Sequence, residues 1–348
     1  MSASKIIIGG RAVGPGEPCF IVAEAGSNHD RDLGRAKELI DIAADSGADA
    51  VKFQTFTALK IAAQTKHPIA QIAVGGATTL FELYRSVEMP IEWLPDLAAH
   101  AVKRGIMFLS TPFDREAADV LDRLGMPAIK IASFEMIDLM LLRHVARKGK
   151  PVILSTGMGS LGEIEEALEA LRAEGLEEIA LLHCAINYPA KFESVNLAAM
   201  STMARAFGLP VGYSDHTPGI TVPIAAVARG AAIIEKHFTI SRTLPGPDHA
   251  FALEPGELKA MVQGIRETEQ SIGSPVKGPA PDELIHRERG RRSIFAAVTI
   301  PEGTVIREEM LAVLRPGIGL APKLLGAVVG RRAPKAIEAH TPITWDIL

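Results

Sequence analysis

Two histidines, His216 in YSDHTPG and His237 in IIEKHFT, lie at the ends of short apolar runs. Imidazole there suits Mn²⁺, Fe²⁺, Co²⁺ or Zn²⁺. Two protein ligands leave positions open for a substrate oxygen, which favours polarisation of a carbonyl over a closed structural site. The competing reading of either histidine alone is a hydrogen-bonded core or loop residue. Lys52 in AVKFQT and Lys130 in AIKIAS end two further runs, with Thr111, Ser133 and Ser214 at the ends of others. Two ammonium groups ringed by hydroxyls make an anion site for phosphate or carboxylate. Snorkelling lysines are the bland alternative, but an unpaired ammonium inside AIKIAS would be costly. In PGPDHAF (245–251), Pro–Gly turns hold Asp248, a carboxylate suited to sugar hydroxyls or simply to capping a turn.

Other chemistries are poorly supported. Gly157, Gly159 and Gly162 match G-x-G-x-x-G, but the next strand ends LLHC without the acidic residue a dinucleotide site needs. A barrel amidohydrolase wants an H-x-H pair on the first strand, where SNHD supplies only His29. There is no phosphate-binding P-loop and no Cys–His–Asn constellation, and Asp215–His216 are mere neighbours in the chain.

These groups must be positioned by something, and the chain alternates regularly between strand-like and helical patterns. The strand-like runs are 20–25, 50–55, 106–111, 128–133, 151–156, 179–184, 210–214 and 232–238. Amphipathic stretches such as LGRAKELIDIAADSG lie between them, several ending in the glycine that stops a helix. Eight strand–helix units in ~250 residues predict an α/β fold, a (β/α)₈ barrel, with a doubly wound open sheet as runner-up. A barrel demands functional side chains at the C-terminal ends of its strands. Glu24, Lys52, Gln54, Thr111, Lys130, Ser133, Glu135, His183, Ser214, Asp215, His216, Glu235, Lys236 and His237 all fall there.

An insertion, 57–90, is far longer than the ~2–6 residues usual in such loops and is expected to form a lid or substrate wall. Past 270 the pattern changes to a Pro/Gly stretch, a charged run (282–292) and a small β-rich module. The expected division is a barrel over 1–275, a linker over 276–290 and the module over 291–348. The 348 residues are 47% hydrophobic and 22% charged with a net charge of −4, which excludes a disordered chain and disfavours nucleic acid or anionic membranes as partners. Cys19 and Cys184 sit in apolar runs and read as reduced, buried thiols. Without a signal-like segment or a long apolar span, the expectation is a cytoplasmic protein with no membrane contact.

In chain order, IVAEAGSNHD, DAVKFQTF, KIASFEM, ILSTGM, YSDHTPG, IIEKHFT and LPGPDH resemble the sialic acid synthase family, and RRSIFAAVTIPEGTVI…VLRPGIGL resembles its C-terminal antifreeze-like (SAF) domain. The resemblance covers essentially the whole chain. It implies a domain-swapped homodimer that condenses phosphoenolpyruvate with an N-acetylated amino sugar, using a divalent cation, most often Mn²⁺, with Mg²⁺ or Co²⁺ as alternatives. His216 and His237 would bind the metal. Lys52, Thr111, Lys130, Ser133 and Ser214 would hold phosphoenolpyruvate. Glu24, Gln54, Glu135, Tyr188 and Asp248 would line the sugar and water side, with Glu24 or Glu135 activating water. Arg315 would reach the partner's barrel and contact the acyl-amino group.

Three places depart from the family pattern. Ile186 replaces a polar residue before Tyr188, the insertion differs from that of sialic acid synthases proper, and Asp30–Arg31 replace the usual Asn–Gly. The reaction class follows from the resemblance; the acceptor sugar does not. A metal-dependent hydrolase or aldolase, and a non-catalytic carbohydrate- or ice-binding protein, are the alternatives.

Overall fold

The computed structural model describes residues 4–65, 77 and 79–348. Two compact units divide the chain, Met1–Gly273 and Ser274–Leu348. In the first, eight parallel strands alternate with helices: β1 (Phe20–Gly26), β2 (Ala50–Thr55), β3 (Met107–Pro112), β4 (Ile129–Ile131), β5 (Val152–Ser155), β6 (Ile179–Cys184), β7 (Val211–Asp215) and β8 (Ile233–His237). Each strand pairs with its sequence neighbour except across β3 and β4, which pack side by side, and β8 pairs with β1 in register from Ile233↔Phe20 to His237↔Glu24. First strand against last is the signature of a barrel, not of an open doubly wound sheet. Strand boundaries fall within a residue or two of the predicted runs. β4 departs most at its end: its ladder stops at Ile131, and Ser133–Glu135 turn into a 3₁₀ helix.

Capping residues start the crossover helices. Asp32, Asp114 and Asp138 accept first-turn amides of Leu33–Asp45, Arg115–Arg123 and Leu139–Ala146, and Ser160 with Glu163 forms a capping box on Leu161–Arg172. Gly105 and Gly208, both left-handed, stop Leu94–Arg104 and Ala198–Phe207.

Because side chains alternate along a strand, each strand sends one set toward the helices and the other into the barrel. Ile21, Val51, Phe53, Val152, Leu154, Leu181 and Tyr213 pack in the helix-facing core. Phe20, Val22, Ala50, Leu109, Ala128, Ile153, Leu182 and Ile233 fill the barrel's lower interior. A hairpin, Ile6–Ile8 paired with Arg11–Val13, closes that end with Ile6, Ile8 and Val13. Its turn is Gly9–Gly10, both at positive φ, as a two-residue hairpin turn requires. Burial of each large side chain in this floor contributes about 1.5–3 kcal/mol.

The insertion is more structured than a loop. It contains short helices at Ala58–Ile61 and Leu80–Val87. The second starts from a capping box in which Thr79 Oγ1 accepts Glu82 N at 3.2 Å and Glu82 Oε2 accepts Thr79 N at 3.2 Å. Residues 66–76 and 78 lie outside the described residues, so most of the divergent IAVGGAT stretch does too.

In the second unit, β9 (Ser293–Ala296) pairs antiparallel with β10 (Leu311–Leu314), and isolated bridges join Phe295 to Pro342, Ile300 to Ile337 and Val305 to Arg332. Ile294, Ile300, Ile306, Val328, Ile337 and Ile343 form its core. The β character thus resides more in single bridges than in long strands. An exposed helix, Leu284–Gly290, occupies much of the expected linker.

Candidate active site

Inside the barrel, most strands change from apolar to polar toward their C-terminal ends. Val22 gives way to Glu24, Ala50 to Lys52, Leu109 to Thr111, Ala128 to Lys130, Ile153 to Ser155, and Ile233 to Glu235 and then His237. All of these polar side chains are buried. They converge with Gln54, Ser133, Ser214, His216 and Tyr188 on a cavity of about 50 Å³.

The centre of this mouth is a chain of charges. Lys52 Nζ lies 2.8 Å from Glu24 Oε2, 3.1 Å from Thr111 Oγ1 and 3.7 Å from Glu235 Oε2. Lys130 Nζ lies 3.5 Å from Glu235 Oε1 and donates to Ser155 Oγ at 2.7 Å. Ser214 Oγ donates to Glu235 at 3.1 Å, and Gln54 Nε2 to Glu24 at 2.9 Å. The costly lone ammonium in AIKIAS is therefore paired. Burial pulls Lys52 down, but Glu235 and Glu24 outweigh it and hold its pKa above the ordinary value. For Lys130 burial wins and lowers it. Burial also raises Glu24, against the pull of Lys52, to about 7. Glu235 is pushed up by burial but brought below its ordinary value by Lys130 and Lys52.

Glu235 is the residue the sequence reading left without a role. On paper it is one letter of IIEKHFT; only strand adjacency sets it between two lysines. Its neighbour Lys236 faces the other way. Lys236 Nζ meets Asp215 Oδ2 at 2.6 Å on the helix-facing side, where the two residues are register partners of β8 and β7. Asp215 and Lys236 thus clamp the strands that carry the two histidines and do not enter the cavity. His183 also points away, bonding Val195 O at 2.8 Å.

His216 and His237 come together at the mouth with ring centroids 5.3 Å apart, and Tyr188 packs on His216 at 4.3 Å. His216 Nδ1 is 3.0 Å from Ala185 O, so the ring donates there and keeps Nε2 as a lone-pair ligand, the usual arrangement of a metal-binding histidine. His237 Nδ1 is buried without a hydrogen-bond partner, 3.8 Å from Asp248 Oδ2. Burial lowers the pKa of both rings, favouring the neutral form that binds metal. Among the described residues no group of three or more side chains is arranged to hold a metal. Two imidazoles alone fall short of the four donors of a closed structural metal site, so any cation held here would need further ligands from water or substrate.

Asp248, beside His237, accepts Ser27 Oγ at 3.1 Å through Oδ2, and half-buried Glu135, on the turn after β4, leaves Oε2 without a partner; neither lines the cavity itself. Burial raises Glu135 to about 7. Ser133 Oγ accepts the amide of Gly157 at 2.9 Å, and a Cβ on Gly157 would meet Ile186 Cγ1 at 2.4 Å. The Gly157 backbone thus approaches Ser133 and Ile186 closely, a packing role in place of the rejected dinucleotide loop. Arg315 belongs to the second unit, where its Nε donates to Gly290 O at 2.6 Å.

An eight-stranded parallel barrel whose buried charged and polar side chains gather at the C-terminal mouth of its strands defines the (β/α)₈ class, with the candidate site on the face where such barrels carry theirs. Comparison with known proteins narrows the class. The NeuB family pattern matches residues 39–277, and the SAF domain pattern matches 291–348. The chain belongs to the NeuB family, whose relatives include synthases of legionaminic, pseudaminic and sialic acids. It is 43% identical to the N,N'-diacetyllegionaminic acid synthase of Legionella pneumophila over 352 residues, 99% of each chain. The N-acetylneuraminic acid synthetase from Leptospira borgpetersenii serovar Hardjo-bovis, solved in complex with citrate, superposes with a TM-score of 0.74 at 35% identity, over 82% of this chain and 95% of that one. The spore coat polysaccharide biosynthesis protein spsE of Bacillus subtilis superposes with a TM-score of 0.69 at 42% identity, over 99% of both. Among the described residues no helix is long and apolar enough to cross a membrane.

Proposed function

We propose that this protein is a transferase that condenses phosphoenolpyruvate with an N-acetylated amino sugar, giving a nine-carbon 2-keto-3-deoxy acid and phosphate by C–O cleavage. The observation that carries this reading is the buried Lys52–Glu235–Lys130 chain beside the neutral His216–His237 pair. Lys52, Lys130, Thr111, Ser133 and Ser214 hold the carboxylate and phosphate. A divalent cation bound by His216 and His237, Mn²⁺ ahead of Mg²⁺ or Co²⁺, would supply Lewis-acid polarisation of the open-chain aldehyde. C3 of phosphoenolpyruvate bonds to the aldehyde carbon, the C=O π pair moves onto the aldehyde oxygen, which takes up a proton to become a hydroxyl, and water adds to the cation developing at C2. Glu135 or Glu24, both with pKa values raised to about 7, takes the water's proton near neutral pH. The C2–O bond of the resulting hemiketal phosphate then breaks and releases phosphate. Gln54, Tyr188 and Asp248 line the acceptor side. Arg315 acts across a domain-swapped homodimer, in the cytoplasm. Similarity to the Legionella synthase favours a 2,4-diacetamido-6-deoxy hexose over N-acetylmannosamine as acceptor.

The test is phosphate release from phosphoenolpyruvate with Mn²⁺ against N-acetylmannosamine, 2,4-diacetamido-6-deoxy-mannose, its altrose isomer and a no-sugar control. Release with one sugar, and a keto acid of the summed mass, is expected. Release without sugar, or from none of them by folded, metal-loaded protein, would overturn the proposal.

A further inference from the structure

Asp30 and Arg31, at the corner leading from β1 into its helix, both adopt left-handed backbone, φ 45° and 57°, which residues other than glycine take only at a cost. Two such residues in succession need compensating contacts, and each has one. Asp30 turns inward. Its Oδ1 lies 2.9 Å from Nε2 of buried His249, whose Nδ1 lies 2.7 Å from Thr239 Oγ1, fastening the loop that carries Asp248. Arg31 turns outward to the insertion. Its Nη1 donates to Arg85 O at 2.9 Å and lies 3.9 Å from Glu88 Oε1.

Arg85 is in the last turn of the helix Leu80–Val87, where carbonyls lack intrahelical partners and the helix dipole is negative. A guanidinium there is a C-terminal cap. Glu88 also accepts the amide of Ala58, at the insertion's entry, at 2.7 Å, so one guanidinium ties both ends of the insertion to the β1 corner. The capped helix carries Tyr84, edge-on to Phe56 at 5.5 Å. Phe56 in turn packs on Phe113, a wall of the cavity, at 5.4 Å. Tyr84 also feels the charges of Glu135 and Asp248, which add to burial in raising its pKa.

We propose that Arg31 is a positioning residue whose guanidinium holds the helix Leu80–Val87, and with it Tyr84, against the acceptor side of the barrel mouth. This rests on the acceptor-sugar reading above. Substitution separates the tether from general stability, because Arg31→Gly removes the cation while relieving the backbone strain.

The experiment uses the full chain with Arg31→Gly and Arg31→Lys. It measures KM for the sugar and for phosphoenolpyruvate separately, together with amide hydrogen exchange over residues 80–88. For Arg31→Gly, loss of one charge-assisted contact should raise the sugar KM about three- to tenfold, with kcat within about twofold and the phosphoenolpyruvate KM unchanged. Arg31→Lys should fall between, and exchange over 80–88 should quicken without a lower melting temperature. An unchanged sugar KM, or equal rises for both substrates, would overturn the proposal. If the unsubstituted protein consumes no amino sugar, the acceptor reading fails separately, and exchange alone decides the tether. Faster exchange confined to 80–88 upholds it; unchanged exchange ends it.

Discussion

The two ends of the barrel are made from the same eight strands and could hardly differ more. At the floor, Ile6, Ile8 and Val13 of the hairpin meet Phe20, Val22, Ile153 and Ile233, an interior without a charged side chain. Two residues further along several of the same strands, the interior holds Glu24, Lys52, Lys130 and Glu235, all buried and all ionisable. Burying those charges costs stability even when they are paired. The floor contributes the stability that the mouth spends, so fold and chemistry should be separable by substitution.

His237→Asn is the most severe way to test that separation. Its neutral ring has no ion pair to lose, so the metal-free protein should keep its melting temperature, while activity falls by about 10²–10³-fold, comparable to the loss of a key electrostatic group. The stabilisation on adding Mn²⁺ should disappear with it. Calorimetry with and without Mn²⁺ checks both halves, and a metal-free protein that melts markedly earlier would break the comparison. Ile8→Ala should do the reverse. It should remove about 2–4 kcal/mol of stability by opening a cavity in the floor, yet leave kcat per folded molecule unchanged. Denaturant unfolding beside kinetics decides it.

The smallest effect concerns pH. Glu135 is raised from 4.5 to about 7 by burial, so folding favours its protonated form. Its stabilising contribution is full below about pH 4.5 and is lost as pH rises to about 7. Activity requires the ionised form and should rise over the upper part of that window. Glu135→Gln should flatten both trends in a pH series of melting temperature and kcat/KM. A kcat/KM limb that survives unchanged would assign it to another group, with Glu24 the next to substitute.

The strand ends were legible because each pairs an apolar run with a terminal polar residue, a pattern that survives without knowledge of neighbours. The floor hairpin was not anticipated, although IIIGGRAV contains a Gly–Gly turn between two short runs, the first entirely β-branched. The helix Leu80–Val87 also had a signal, Thr79-x-x-Glu82 opening TLFELY, but the surrounding insertion read as irregular. Glu235 and Asp215–Lys236 are a different kind of miss. Their roles depend on which face of a strand each residue occupies and on what the adjacent strand presents. The alternation Glu235–Lys236–His237 states the first in the sequence, whereas only the closed barrel supplies the second.

The ladder between β1 and β8 and the hairpin beneath it also set the order of events while the chain is made. Ile8 cannot be buried against Ile233 until the latter has left the ribosome. At ~5–20 residues per second, that interval is on the order of ten seconds or longer. Throughout it, the run Ile6–Ile7–Ile8, a β-branched segment without charge, has no floor to close. The segment that closes the folded barrel is thus made long before the strand it packs on, and the floor is sealed only when β8 arrives.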